Sequence, residues 1–157
     1  MSGLETSNIV YGGLALEGAF SHGGFDAVIF ENLQTKKFVL VHGEGFGAWC
    51  WYKTVALLEE ASLIPTAMDL LGSRIDRTDT DSISTLADYA KPLIDYLHNL
   101  PEEEKVILVG HSCGGASISY ALECCPKKIS KVVFVCATMV LDGQKPFDVF
   151  AEEVCYL

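Results

Sequence analysis

Short apolar runs alternate along the chain with amphipathic segments. Four runs rich in β-branched residues predict buried strands over residues 38–41, 64–70, 106–109 and 131–136. Apolar residues at helical spacing predict helices over residues 49–61, 86–100, 116–125 and 146–156. This alternation predicts an α/β fold, with a mostly parallel sheet, right-handed crossovers and helices on both faces.

The segment around residues 85–100 carries two local signals besides its apolar stripe. Thr85-Leu-Ala-Asp88 fits a loose capping box, which predicts that a helix begins there. Pro92 lies inside the helical pattern and is predicted to kink the helix or remove a backbone hydrogen bond. His98 lies off the apolar stripe and is predicted to be exposed.

Composition limits the classes of partner and compartment. The chain has 157 residues, half of them hydrophobic, which suits one domain with a sizeable core over residues 25–157. Residues 1–24 are rich in Gly and Ser and are predicted to be disordered. The net charge of -10 argues against nucleic acid and anionic membranes as partners. No apolar run approaches the ~20 residues that cross a bilayer.

Six cysteines show neither a CxxC pair nor the spacing of a metal site, so no metal or cofactor is expected. Several of them fall inside predicted helices or strands, which favours a reduced, intracellular compartment. No Lys or Arg precedes Lys36, whereas signal and transit peptides are basic. This pattern favours the cytoplasm.

The strongest chemical signal is Gly110-His111-Ser112-Cys113-Gly114, which fits G-x-S-x-G. A strand is predicted before it and a helix after it, which is the context of a nucleophile elbow. Ser112 would then stand at the tip of a tight turn that needs its two glycines. The N–H of Cys113 would lie at a helix N-terminus, where it can stabilise an oxyanion. The alternative is a glycine-rich turn with an incidental serine.

A second glycine-rich loop, His42-Gly-Glu-Gly-Phe-Gly47, follows the first predicted strand. A phosphate-binding loop is disfavoured, because no Walker lysine follows and the spacing differs from the dinucleotide fingerprint. In hydrolases with a nucleophile elbow, such a loop supplies the second oxyanion N–H. His42 is expected to brace the loop by hydrogen bonding rather than to act in catalysis.

Four motifs in order carry a resemblance to a family: Phe38-Val-Leu-Val-His-Gly43, Gly47-Ala-Trp-Cys-Trp-Tyr-Lys53, Pro65-Thr-Ala-Met-Asp-Leu70 and Val106-Ile-Leu-Val-Gly-His-Ser-Cys-Gly-Gly115. Together they resemble the plant methylesterase and hydroxynitrile lyase group of α/β-hydrolases. Residues 73–79 and 143–150 resemble the chloroplastic methylesterases within that group. The likeness extends from about Asp26 to the last residue, and it makes the chloroplast the alternative compartment.

The resemblance implies a partial α/β-hydrolase fold and a carboxylesterase that uses no cofactor. Its expected substrates are methyl esters of small plant hormones, such as methyl salicylate, methyl jasmonate and methyl indole-3-acetate. Ser112 would be the catalytic nucleophile that forms an acyl-enzyme, and the backbone N–H groups of Cys113 and Glu44 would form the oxyanion hole. The family has a small residue in place of Glu44, whose carboxylate would oppose the oxyanion unless it turned outward. The lyases carry threonine where this chain has Gly43, which favours an esterase.

The chain departs from the family after the nucleophile. The triad order in this fold is Ser, then Asp or Glu, then His, yet the four histidines (His22, His42, His98 and His111) all precede Ser112. Asp142 and Asp148 follow Ser112, but both fall where the family's cap domain begins. The chain is therefore interpreted as the N-terminal part of a longer methylesterase, inactive as given. The alternative is a truncated, non-catalytic homologue that binds a ligand or partner.

The same departure yields a prediction about the sheet. It should end at residues 132–135, where the family fold continues with further strands. An open, apolar edge of this kind favours self-association.

Overall fold

The structure is a computed structural model that describes the backbone of residues 9–12 together with residues 33–73 and 75–139. Within these residues the strands are β1 (Ile9–Gly12), β2 (Lys37–Val41), β3 (Ile64–Met68), β4 (Val106–Ser112) and β5 (Ile129–Ala137). They form one sheet in the order β1-β5-β4-β2-β3, and every neighbouring pair is parallel. The predicted α/β fold with a parallel sheet is confirmed.

The α-helices of the described part are α1 (Tyr52–Glu60), α2 (Leu86–Tyr89), α3 (Lys91–His98) and α4 (Gly114–Cys124). Short 3-10 helices span Ala48–Trp51, Thr80–Ser82 and Pro126–Lys128. The helix predicted over residues 49–61 is thus a 3-10 turn followed by α1. The helix predicted over residues 146–156 lies outside the described residues.

The break between α2 and α3 has the cause that the sequence predicted. Thr85 Oγ1 accepts a hydrogen bond from the Asp88 N–H, and the Asp88 carboxylate accepts one from the Thr85 N–H, both at 3.0 Å. This capping box fixes the start of α2. The helix then stops at Ala90, and Pro92 lies in the first turn of α3, where no N–H is needed. The expected kink is therefore a full break, and His98 at the end of α3 is exposed as predicted.

Alternate residues of the buried strands pack against helices on opposite faces of the sheet. On one face, Val39 and Leu108 pack with apolar residues of α3 and α4, namely Leu93, Leu97, Ile118 and Ala121. On the other face, Leu40 and Ile107 pack with Trp51, Leu58 and Leu63. The site described below lies at the carboxyl ends of β2 and β4, held from both sides by these two layers.

The N-terminal strand corrects two predictions. Residues 9–12 were expected to be disordered within segment 1–24, yet β1 pairs with β5 in parallel, with Ile9 opposite Val132 and Gly12 opposite Val135. The rest of that segment lies outside the described residues. The expected open edge at residues 132–135 is also wrong, because unpaired N–H and C=O groups favour addition of a strand and β1 is rich in β-forming residues. Residues 132–135 are thus paired with β1, and self-association of the chain stays a prediction.

Two further findings bear on partners and ligands. No helix in the described part of the chain is both long and apolar enough to cross a membrane. The five cysteines in that part, Cys50, Cys113, Cys124, Cys125 and Cys136, are free thiols.

Candidate active site

Ser112 is the last residue of β4 and has a φ of +52°, in the left-handed region that serine rarely adopts. Helix α4 begins two residues later, with Cys113 as its N-cap. The predicted sequence of strand, sharp turn and helix is confirmed. Backbone strain of this kind clusters at functional sites, so the geometry disfavours the reading of an incidental serine.

The turn packs so closely against the loop after β2 that the two backbones are in contact. A Cβ on Gly114 would lie 2.5 Å from the carbonyl oxygen of His42, and one on Gly110 would lie 3.0 Å from the carbonyl oxygen of Gly114. Backbone oxygens cannot rotate away as a side chain can. Glycine is therefore required at Gly114, as the sequence predicted, whereas a Cβ at Gly110 would force the start of α4 to shift.

The opposing loop approaches the nucleophile through a third glycine. A Cβ on Gly43 would lie 2.9 Å from the Cβ of Ser112, so any side chain there would displace the serine. From the other side, the Thr138 N–H donates a hydrogen bond of 3.0 Å to the carbonyl oxygen of Ser112. Ser112 is thus held between the loop after β2 and the end of β5.

His42 braces this loop, as expected. Its ring is fully buried, its Nε2 accepts a hydrogen bond from the Leu70 N–H at 3.1 Å, and its Nδ1 lies 2.8 Å from the carbonyl oxygen of Gly43. These partners assign the ring proton to Nδ1, which donates to Gly43. Both ring nitrogens are occupied, so His42 is a structural residue.

Asp69 is a second brace, which the sequence reasoning missed. Its Oδ1 accepts a hydrogen bond of 2.7 Å from the Ala48 N–H at the far end of the loop. The available signal was a carboxylate directly after the strand predicted over residues 64–70. The carboxyl ends of parallel strands lie side by side, so this carboxylate falls next to the loop after β2.

The two expected oxyanion donors lie on opposite sides of the contact between the Ser112 turn and the loop after β2. Cys113 precedes the N-terminus of α4, and Glu44 lies in the loop that packs on the turn. Among the described residues, no turn or loop hydrogen bond uses the backbone N–H of either one. Both N–H groups are therefore available to a ligand, which is what an oxyanion hole needs.

The side chain of Glu44 stays beside the turn. It is exposed, and its Oε2 accepts a hydrogen bond from the Cys113 thiol at 3.8 Å. The Ser112 hydroxyl in turn donates to the Cys113 sulfur at 4.0 Å. The carboxylate has therefore not turned away from the predicted oxyanion hole.

No histidine ring in the described part of the chain hydrogen-bonds to the Ser112 hydroxyl. The neighbouring His111 packs edge-on against two aromatic rings, with centroid distances of 6.4 Å to Phe46 and 6.3 Å to Trp51. The predicted nucleophile and the two predicted oxyanion donors thus lie together, and no described histidine ring is hydrogen-bonded to Ser112.

A cavity of about 560 Å³ adjoins the loop. It is lined by Glu44, Gly45, Phe46, Leu71, Gly72, Ser73, Thr80, Ile83 and Tyr89. Burial, with smaller contributions from the neighbouring Cys113 and Glu44, raises the pKa of Tyr89 to about 12. The phenol therefore keeps its proton at neutral pH. That Tyr89 lines this cavity was not predicted, because in the sequence it is one residue of an apolar stripe.

Residues 38–153 match the model of the Alpha/beta hydrolase family. The fold, the strained serine at the end of β4 and this match agree, and the chain belongs to that family.

Within the family the chain is similar to plant esterases. It is 67% identical over 139 residues to the "Putative methylesterase 14, chloroplastic" of Arabidopsis thaliana, matching 88% of this chain and 40% of that protein. The crystal structure of polyneuridine aldehyde esterase superposes with a TM-score of 0.74 at 42% identity, over 79% of this chain and 49% of the other. A methylesterase from Arabidopsis superposes with a TM-score of 0.66 at 44% identity, over 69% and 46%. The chain therefore spans less than half the length of these relatives.

Proposed function

We propose that this chain is the nucleophile-bearing part of a methylesterase that hydrolyses methyl esters of small carboxylic acids through a serine acyl-enzyme. The observation that carries the proposal is the strained Ser112 on a strand–turn–helix, facing a loop whose N–H is available to a ligand. The names of the relatives support ester hydrolysis as the reaction class. A cavity of about 560 Å³ is large enough for methyl salicylate, methyl jasmonate or methyl indole-3-acetate.

In this mechanism the Ser112 hydroxyl attacks the ester carbonyl and gives its proton to a general base. The N–H groups of Cys113 and Glu44 hold the negative oxygen of the tetrahedral intermediate. Collapse breaks the bond to the methoxy group, which takes the proton from the base and leaves as methanol, and the acyl group stays on Ser112. Water then attacks the acyl-enzyme with help from the same base, which releases the acid and restores the serine. In this fold the base is a histidine. Along the chain it comes after both the nucleophile and the acidic residue of the triad.

A chimera tests the proposal. All 157 residues are joined to the part of the Arabidopsis relative that lies beyond the matched region, which by the chain order of this fold should carry the later acid and histidine. We expect the chimera to release acid from at least one of the three methyl esters, measured by liquid chromatography. Ser112→Ala should lower this turnover by at least about a thousandfold. Cys113→Ala should change it by less than about threefold, since only the backbone N–H is used.

The 157-residue chain itself should give no turnover above that of its Ser112→Ala variant, because a serine without its base is a weak nucleophile. Turnover by this chain, lost in the variant, would mean that a residue before Ser112 serves as the base. That result would overturn the assignment of the base to a later segment.

The alternative function is a non-catalytic homologue that binds a ligand or partner. The observation that favours it is the lack of a hydrogen bond between a described histidine ring and Ser112. The chimera separates the two functions, because a folded chimera that binds an ester without cleaving it supports the binding role.

For the compartment, we propose the chloroplast over the cytoplasm, since relatives at 67% and 63% identity are named as chloroplastic. Imaging of a C-terminal fluorescent fusion in leaf cells tests this. We expect the signal to be confined to plastids. Signal confined to the cytosol would support the cytoplasm as the compartment instead.

A further inference from the structure

One carboxylate lines the cavity that adjoins the loop after β2. Of the described residues that line it, Glu44 is the one with a carboxylate, and the raised pKa of Tyr89 keeps its phenol protonated at neutral pH. No Lys or Arg in the described part of the chain lies within ion-pair distance of Glu44, because the ion pairs there are Lys37 with Glu104 and Lys91 with Asp95. Within the described residues, the Glu44 carboxylate therefore has no cationic partner.

The cavity also presents aromatic surface. Phe46 is 43% exposed, and both Phe46 and Tyr89 line the cavity together with Glu44. Aromatic faces attract cations, and an adjacent carboxylate adds a direct electrostatic attraction. Two aromatic rings and one carboxylate are the components that proteins use to bind ammonium groups.

From this arrangement we propose that Glu44 is a specificity-determining residue that selects esters bearing a protonated amine and disfavours ligands with a negative charge. The inference rests on the proposed function, whose site it refines. A carboxylate beside the oxyanion hole opposes negative charge at the reacting carbonyl. A cationic group on the substrate, seated against Glu44, offsets that repulsion. The same charge repels the carboxylate product after hydrolysis.

Cys113 allows the local potential to be measured without catalysis. Its thiol lies 3.8 Å from the Glu44 carboxylate, so a reagent that reaches the thiol also meets this charge. A thiolate attacks a methanethiosulfonate reagent, forms a disulfide and releases methanesulfinate. The ratio of the rates with the cationic trimethylammonium-ethyl reagent and the anionic sulfonato-ethyl reagent reports the potential. The thiol's own pKa cancels from that ratio.

The experiment uses the 157-residue chain at low salt, with each cysteine followed by peptide mass spectrometry. We expect the rate ratio of cationic to anionic reagent at Cys113 to fall about fivefold in Glu44→Gln and to be kept in Glu44→Asp. The exposed Cys124 is the internal control, and its ratio should not change, while protection of the buried Cys125 shows that the variant is folded. An unchanged ratio at Cys113 in Glu44→Gln would overturn the proposal.

A second measurement tests ligand selection. Benzyltrimethylammonium and benzoate are compared at equal concentration for protection of Cys113 against the neutral methyl methanethiosulfonate. The cation should slow the modification and benzoate should not, and the difference should vanish in Glu44→Gln. Equal protection by the two ions would overturn the proposal. Neither readout requires ester hydrolysis, so hydrolysis by the chimera with no charge effect leaves the function standing and removes only this inference.

Discussion

The turn that carries Ser112 and the loop that faces it are held in place by different means. The turn is fixed by its backbone, since a Cβ on Gly114 would lie 2.5 Å from a carbonyl oxygen. The loop is fixed by two side chains, the His42 ring and the Asp69 carboxylate, while Glu44 and Phe46 within it are exposed. The position of the nucleophile therefore tolerates almost no change, whereas the loop can vary its exposed side chains. The Glu44 side chain lies in this loop.

The largest effect is expected from Gly114→Ala, which places a Cβ against the carbonyl oxygens of His42 and Val41. We expect a loss of about 3 kcal/mol or more in the free energy of unfolding, measured in urea. The matched control is Gly45→Ala in the loop, where nothing lies within 4 Å and only the positive φ of 73° is unfavourable. The control should lose about 1 kcal/mol. Equal losses of unfolding free energy in the two variants would contradict the difference between the turn and the loop.

The next largest loss of stability is expected when the buried His42 ring, which braces the loop, is removed. His42→Ala leaves the Leu70 N–H and the Gly43 carbonyl without their partner inside the protein, which costs about 2–3 kcal/mol of unfolding free energy. His98→Ala, at an exposed position, should change stability by less than about 0.5 kcal/mol. A small loss at His42 would show that the loop holds its conformation without the ring.

A smaller loss of stability is expected when Asp69, the second brace of the loop, is replaced. Asp69→Ala removes the hydrogen bond to the Ala48 N–H and should cost about 1.5 kcal/mol, again by urea unfolding. Asp69→Asn retains an acceptor oxygen and should lose about half as much. If Asn cost as much as Ala, the negative charge rather than the hydrogen bond would hold the loop.

The smallest effect concerns the titration of Tyr89. The folded pKa of about 12 lies above the ordinary value of 10, so the native state holds the proton longer than the unfolded chain does. Its contribution to stability is fully present below pH 10 and is lost as the pH rises toward 12. Because the Glu44 charge helps to raise this pKa, Glu44→Gln should lower it, seen as an earlier final step in ultraviolet titration. Tyr89→Phe should remove that step, and an unchanged step would place the shift on another tyrosine.

The sequence predicted the parts of the site that depend on local pattern. Gly110, Ser112 and Gly114 lie between a β-branched run and a helical segment, and that context alone defines a strained turn. Asp69 and Tyr89 were not predicted as site residues, because their roles depend on which strand ends and loops lie side by side. The pairing of β1 with β5 was missed for the same reason, since a four-residue strand within a Gly-rich segment gives no periodic signal.

The central claim is that Ser112 carries the acyl group, and trapping that intermediate tests it most directly. The chimera is mixed with p-nitrophenyl acetate, quenched in acid, and mapped by fragmentation mass spectrometry. We predict one acetyl group on Ser112, lost in Ser112→Ala and kept in Cys113→Ala. An acetyl group on Cys113, or steady turnover in Ser112→Ala, would contradict the account.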